Sequence, residues 1–371
     1  MKFDSRYYLG GLLLATVFVV FLWPPQVVSV NEPESASPSV WALYVGQWGN
    51  TDHDGKWVYW RMRRFSHSKE YFEPPFSLGI SHYPSLGLYS SHDETTLRNH
   101  FILMNKAGID VAVLQWWGKS QGEPNIEETE GFSENTLKLM LNISSEYKIK
   151  ICVQMQPYGD RNNQGFIDDV KYLCNNYAKH PSFLKMDGRP VLIVYDPHNI
   201  PHVYLAIEEL RQSEYNPYLI ASIVEKNHYV QAIENGFNGI FTYFATIGST
   251  WGTNLTHWPT LSKSCKERNM LFVPSVSPGY NDEKSIPWSR GNKRGRESGR
   301  YYDKMWQAAV DSKPSVVMIN SFNHFYDGTP IEPTLSREGY EWDGDNWASG
   351  TTNSDFYIQR TKYWVDLMKK Q

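Results

Sequence analysis

Residues 94–117 read ETTLRNHFILMNKAGIDVAVLQWW. Leu97, Phe101, Met104 and Ala107 fall at steps of three or four, which puts them on one helix face. Ala107-Gly108 reads as a helix stop. Ile109 to Leu114 is a short run rich in Val and Ile, the reading of a strand buried on both faces. Gln115, Trp116 and Trp117 follow at once. Helix, stop, strand and a polar, aromatic tip make one unit of an alternating α/β chain.

Further units lie on either side of it. Apolar runs occur near 40–44, 149–155, 190–195, 218–222, 239–243, 270–276 and 315–320. Between them lie amphipathic segments. Leu137, Met140, Leu141 and Tyr147 mark 135–147, and Tyr301, Met305, Ala308 and Ala309 mark 300–311. Eight apolar runs with helical spacers predict an α/β chain folded as a (β/α)8 barrel, also called a TIM barrel, in one domain over 40–371. A doubly wound open sheet is the alternative. The first loop, 45–108, is unusually long and shows no helical pattern until about residue 93. Loops of that length in compact domains are commonly functional. Residues 356–370 form an amphipathic segment expected to close the barrel.

The composition narrows the function. Lys+Arg is 36 and Asp+Glu is 40 in 371 residues, a net charge of −4. That lacks the basic excess a nucleic-acid binder uses to replace counterions. Aromatic residues are 15% of the chain, with 14 Trp and 24 Tyr. Such an excess without basic charge fits stacking on flat neutral ligands such as sugar rings, or a large aromatic core. Three cysteines, Cys152, Cys174 and Cys265, exclude a disulfide framework. Cys152 sits in an apolar run and reads as a small buried hydrophobe. No Cys/His spacing resembles a zinc site, and no metal or organic cofactor is implied.

Tyr7 to Trp23 is apolar and uncharged, with Lys2 and Arg6 before it and Pro24-Pro25 after it. It reads as a signal-anchor helix, residues 7–23, with 1–6 as a cytoplasmic tail and 24–39 as a Pro/Ser/Glu-rich stem. A cleaved signal peptide is the alternative. Both readings send residues 30–371 into the secretory pathway. The sequons Asn142-Ile-Ser144 and Asn254-Leu-Thr256 are compatible with that.

In a barrel of this kind the site lies where strands end and βα loops begin. The residues there are Gln47 and Trp48; Gln115, Trp116 and Trp117; Gln156 and Tyr158; Tyr195 and Asp196; Glu225 and His228; Tyr243 and Phe244; Pro278 and Tyr280; and Asn323, His324 and Asp327. No Gly-rich phosphate loop and no G-x-S-x-G elbow is present. Trp and Tyr rings with Asn, Gln and scattered carboxylates fit carbohydrate, whose C–H faces stack on rings and whose hydroxyls bond amides. Glycoside hydrolysis usually needs two carboxyl groups flanking the scissile bond. Asp327, Glu332 and Glu225 are the carboxylates at strand ends.

The chain resembles glycoside hydrolase family 99, the endo-α-1,2-mannosidases of the Golgi. The resemblance runs collinearly through Gly49-Asn50, Asp54-Gly55-Lys56 and Trp60, HYPSLGLYSS (82–91), GIDVAVLQWW (108–117), QPYGDR (156–161) and VEKNH (224–228). It continues through GFNGIFTYFA (236–245), FVPSVSPGY (272–280), IPW (286–288), Arg294-x-Arg296 and SFN-x4-GT-x-IEP (321–333). The resemblance implies a (β/α)8 barrel, a type II Golgi or ER membrane protein with its catalytic domain lumenal, and cleavage of an internal α-1,2-mannosyl bond in mannose-rich N-glycans. It also implies a retaining route. One Glu takes the proton of the sugar 2-hydroxyl, which attacks C1 to give an epoxide; a second Glu, three residues later, protonates the leaving oxygen and then activates water. The family motif resembles SFNEWHEGTQIE, and here the same stretch reads SFNHFYDGTPIE (321–332). His324 and Asp327 thus stand in the two catalytic positions. Gln47-Trp48 stands where the family has an aromatic pair. The residues expected to bind substrate are Trp48, Trp116, Trp117, Gln156, Tyr158, Tyr195, Glu225, His228, Tyr243, Tyr280, Arg294, Asn323 and Glu332. An imidazole can serve as a base near neutral pH, but it brings no negative charge to an oxocarbenium-like centre. Asp327 falls short of a Glu by one methylene, about 1–1.5 Å, and a misplacement of ~1 Å can cost ~100-fold in rate. Three functions therefore remain open: a hydrolase with a rewired His/Asp pair, a catalytically silent, lectin-like binder of the same glycans, and an unrelated barrel role.

Overall fold

The computed structural model describes residues 37–64, 70–124, 126, 128–159, 161–286, 292–342, 345–346, 351–352 and 354–370. The expected tail, anchor and most of the stem lie outside these residues. Among those described, no helix is long and apolar enough to cross a membrane.

Eight parallel strands form the barrel: β1 (Ser39–Tyr44), β2 (Val111–Trp116), β3 (Lys150–Met155), β4 (Arg189–Val194), β5 (Tyr218–Ile223), β6 (Gly239–Thr242), β7 (Leu271–Val273, resuming at Ser275–Val276) and β8 (Val316–Ile319). Each pairs with the next, and β8 returns to β1 with Ser39 opposite Val316. Pro274 interrupts β7 because it has no N–H to give. Below it β7 pairs with β6, and above it with β8. The Pro274 carbonyl still accepts from Met318 N–H at 3.0 Å, so the ring is closed. The open-sheet alternative is thereby excluded.

Side chains alternate along each strand. Trp41, Leu43, Val111, Val113, Cys152, Ile193 and Phe241 fill the barrel interior. Val40, Ala42, Tyr44, Ala112 and Leu114 face outward into the helix layer. Both faces are apolar, which is why the strands read as unbroken apolar runs. Cys152, Cys174 and Cys265 are buried and unpaired.

The helices are α1 (Glu94–Ala107), α2 (Phe132–Ser144), α3 (Asn163–Asn176), α4 (Val203–Gln212), α5 (Lys226–Glu234), α6 (Trp258–Glu267), α7 (Arg300–Asp311) and α8 (Phe356–Met368). The stop after α1 has a left-handed Gly108 (φ 78°) whose N–H bonds Asn105 and Met104 carbonyls. A side chain there would also meet Val365 Cγ1 at 3.0 Å, because α8 packs on α1. The α2 segment ends one 3-10 turn early, at Ser145–Tyr147.

The long first loop carries one helical turn, Thr51–Asp54, capped by the Asn50 side chain, and so is not helix-free as expected. It also forms a short antiparallel pair, Tyr83–Pro84 with Thr334–Leu335. Its Trp48, Tyr59, Trp60, Leu78, Ile80 and Tyr89 pack with Phe325 and Tyr326 into a third apolar cluster. That cluster binds the first loop to the last.

Candidate functional site

The loop after β8 is held rigidly. The Asn323 side chain accepts from Val45 N–H at 2.7 Å and donates to the Val45 carbonyl at 2.9 Å and the Tyr89 hydroxyl at 3.2 Å. Ser321 Oγ accepts from His324 N–H at 2.7 Å. Arg296 donates to the Gly328 and Pro330 carbonyls at 3.1 and 2.9 Å. Gly328 has φ 62°, and a side chain there would strike the Asn281 carbonyl at 2.5 Å, so only glycine fits. Beneath this loop, Glu332 accepts from the Tyr89 hydroxyl at 2.8 Å and lies 3.4 Å from His100, itself bonded to Tyr44 at 2.9 Å.

Above the loop opens a cavity of about 270 Å3 at the C-terminal ends of the strands. Tyr59, Met62, Gln115, Trp117, Glu123, Ile126, Gln156, Pro157, Tyr195, Tyr243, Ser285, Ile286, His324, Tyr326 and Asp327 line it. Tyr195 and Tyr243 meet edge to face at 4.6 Å. Tyr326 is fixed by its hydroxyl bond to the Tyr59 carbonyl. A second cavity, about 310 Å3, lies at the opposite end of the barrel, lined by Tyr218, Lys266, Leu271 and Lys313 among others. It holds no carboxylate and none of the strand-end residues.

Of the expected binding residues, Trp117, Gln156, Tyr195 and Tyr243 reach the cavity together with His324 and Asp327. The others are placed elsewhere. Trp48 is fully buried and stacked on Trp60 at 3.9 Å. Trp116 is fully buried in the layer between barrel and helices, because Trp116 and Trp117 point to opposite faces. Asn323 and Glu332 are spent on the internal bonds described above. Tyr158 bonds Asp169 on α3. Glu225 and His228 form a reciprocal cap at the start of α5, and His228 stacks on His198 at 3.8 Å. Tyr280 donates to Asp282 at 2.7 Å and pairs through its backbone with Arg294. These residues shape the walls and supports.

The electrostatics are those of a pocket with two carboxyls raised by burial. Burial raises the Asp327 carboxyl above its ordinary range; His324 lowers it and Asp282 raises it. Burial pushes Glu123 up to about 8, against a hydrogen bond with Tyr59 that lowers it, while the Asp327 charge adds to the rise. Glu123 Oε2, Asp282 Oδ1 and Trp117 Nε1 are buried without a hydrogen-bond partner among the described residues. Asp327 N–H donates to His324 Nδ1 at 3.2 Å, and Asp327 Oδ1 lies 3.7 Å from the same nitrogen. With Nδ1 accepting, the ring proton sits on Nε2. No cluster of potential metal ligands occurs among the described residues.

Sequence reading missed Glu123, Tyr59 and Tyr326. Glu123 lies seven positions beyond the end of β2, past the residues taken as the strand tip. Its position is set by Thr129 Oγ1, which accepts Glu123 N–H at 2.9 Å. The length of that loop was the available signal.

A closed (β/α)8 barrel with a carboxyl-bearing, aromatic cavity at its C-terminal end has the architecture of a glycoside hydrolase. The sequence matches the family model described as glycosyl hydrolase family 99 over residues 37–370, and the chain belongs to that family. It is 31% identical over 382 residues to a glycoprotein endo-alpha-1,2-mannosidase of Rattus norvegicus, covering 95% of this chain and 80% of that protein. It is also 31% identical over 318 residues to a glycoprotein endo-alpha-1,2-mannosidase-like protein of Homo sapiens, covering 80% of this chain and 69% of that one. The solved GH99 endo-alpha-mannosidase from Bacteroides thetaiotaomicron superposes with a TM-score of 0.81 at 28% identity, covering 89% of this chain and 97% of that chain.

Proposed function

We propose that the protein is a glycoside hydrolase of endo-α-1,2-mannosidase type acting on mannose-rich N-linked glycans in the secretory pathway, anchored in the Golgi or ER membrane with the barrel lumenal. His324 and Asp327 stand in the two motif positions. The observation that carries the reading is Asp327: a carboxyl with its pKa raised by burial, at the end of β8, facing Trp117, Tyr195 and Tyr243 across one cavity. A carboxyl whose pKa is raised by burial holds its proton more readily, as protonating a glycosidic oxygen requires. Trp117 and the two tyrosines offer ring faces for sugar C–H groups, and Gln115 and Gln156 offer amides for hydroxyls. Gln156 Nε2 also donates to Gln154 Oε1 at 3.1 Å, which fixes its amide.

A lectin-like role is favoured by one feature. His324 Nδ1 is taken up by a backbone N–H and Nε2 carries the proton, so the ring has no free lone pair for a sugar 2-hydroxyl. Incubating the protein with glucosylated, mannose-rich N-glycans and weighing the products decides between the two. Release of a mannose-containing fragment supports the hydrolase. Retained binding without any mass change supports the lectin.

A further inference from the structure

The cavity holds a second carboxyl that the β8 motif does not supply. Glu123 comes from the loop after β2 and lines the same cavity as Asp327, whose charge it feels. Its Oε2 is enclosed and has no hydrogen-bond partner among the described residues. The carboxyl is held by Tyr59, and its other oxygen is left without a partner among these residues, as an atom reserved for a ligand would be. His324, meanwhile, spends Nδ1 on the Asp327 backbone.

We infer that Glu123 is the second catalytic carboxyl of this site and forms a proton-sharing pair with Asp327, while His324 is a positioning residue for Asp327. The inference rests on the glycosidase reading above. Two carboxyls lining one cavity do not both ionise readily, and Glu123, pushed up to about 8, is the one that keeps its proton near neutral pH. The other titratable groups facing it are Tyr59, Tyr326 and Tyr243 toward Glu123, and His324, Asp282, Tyr59, Tyr195 and Tyr243 toward Asp327. Of these only His324 lowers the Asp327 carboxyl, and the tyrosines stay neutral because burial raises them.

The proton inventory balances. The protonated carboxyl gives its proton to the glycosidic oxygen as the bond from C1 to that oxygen breaks. An oxygen bonds to C1 in its place, and that oxygen's proton goes to the ionised carboxyl. Summed over the hydrolysis, one water is consumed and the pair ends with one proton, as it began. The rewiring therefore moves one acid–base position from the β8 motif to the β2 loop. It restores the two carboxyls that glycoside hydrolysis calls for.

The test combines a titration with an assay, on the full chain, with wild type, Glu123→Gln, Glu123→Asp and Asp327→Asn. Infrared absorption of the carboxyl C=O is followed against pH, and melting curves confirm folding. The pair predicts that Glu123→Gln moves the Asp327 titration to lower pH. On mannose-rich glycans, Glu123→Gln should lower kcat by ~10²–10⁴-fold with KM nearly unchanged. Glu123→Asp, which keeps the carboxyl, should retain part of the rate with a displaced pH profile, and it serves if the Gln variant does not fold. An Asp327 titration that ignores Glu123→Gln overturns the pair. A kcat within about twofold of wild type in Glu123→Gln overturns the catalytic role. A wild type that cleaves nothing removes that role along with the glycosidase reading, and the infrared titration still reports separately whether the carboxyls are coupled.

Discussion

Asn323 grips Val45 from both sides of its amide, accepting from the N–H and donating to the carbonyl of one residue 278 positions away. This double bond pattern stitches the loop after β8 to the end of β1. It sits directly before His324, so it sets the origin from which the cavity floor is built. Asn323→Ala leaves the buried Val45 N–H without that partner. Loss of about 2–4 kcal/mol of stability is expected, read as a lower urea midpoint with little change in slope. An unchanged midpoint would mean the loop is held by Ser321 and Arg296 alone.

Trp116 and Trp117 are neighbours with opposite fates. Trp117 lines the cavity and Trp116 does not. Trp117→Ala is expected to weaken mannoside binding by about 1–3 kcal/mol, the scale of one large apolar side chain, with a smaller loss of stability than Trp116→Ala. Trp116→Ala is expected to cost about 3–5 kcal/mol in stability instead. Calorimetric binding and thermal melts of the two variants give a double contrast that a shared role could not produce.

Folding raises Glu123 from the ordinary carboxylate range to about 8. Between those values the folded state binds more protons than the unfolded one, so stability falls as pH rises through that window. Below it both states are protonated and the group costs nothing. Above it the full cost of a buried carboxylate is felt. Asp327 acts in the same direction. Wild type should therefore lose melting temperature from weakly acidic to weakly alkaline pH, and Glu123→Gln should show a shallower loss. Parallel curves for the two proteins would contradict the burial argument.

The double variant His324→Glu, Asp327→Glu rebuilds the motif that relatives of this family resemble. If the cavity has otherwise kept its shape, this variant should cleave mannose-rich glycans faster than wild type, by mass analysis of released fragments. A folded, glycan-binding double variant with no cleavage would show that the cavity has diverged beyond these positions.

Legibility in the sequence followed periodicity. Strands were readable because both faces of each are apolar, and α1, α7 and α8 because each buries a stripe. The strand tips were readable as a place, but which tip residues face the cavity was not. Trp116 and Trp117 differ by one residue, and one residue is the whole difference between core and cavity in a strand. Asn323 and Glu332 look like sugar ligands by residue type, yet their bonds go to Val45 and Tyr89, contacts far away in sequence. Glu123 was missed because no motif singles it out in the loop after β2, whereas Asp327, as far beyond its own strand, lies in the stretch that carries the family resemblance.

Asp110 joins three remote points. It accepts the Val40 N–H at 2.8 Å and meets Lys369 Nζ at 3.1 Å. The place where the chain goes into the barrel and the place where it comes out are therefore side by side, at the end opposite the cavity. Neither place therefore crowds the mouth of the cavity, which lies at the other end of the strands. For a protein whose proposed substrates are bulky glycans on other proteins, that arrangement leaves the approach side open, and it makes immobilisation through the C-terminus the natural geometry for measuring binding.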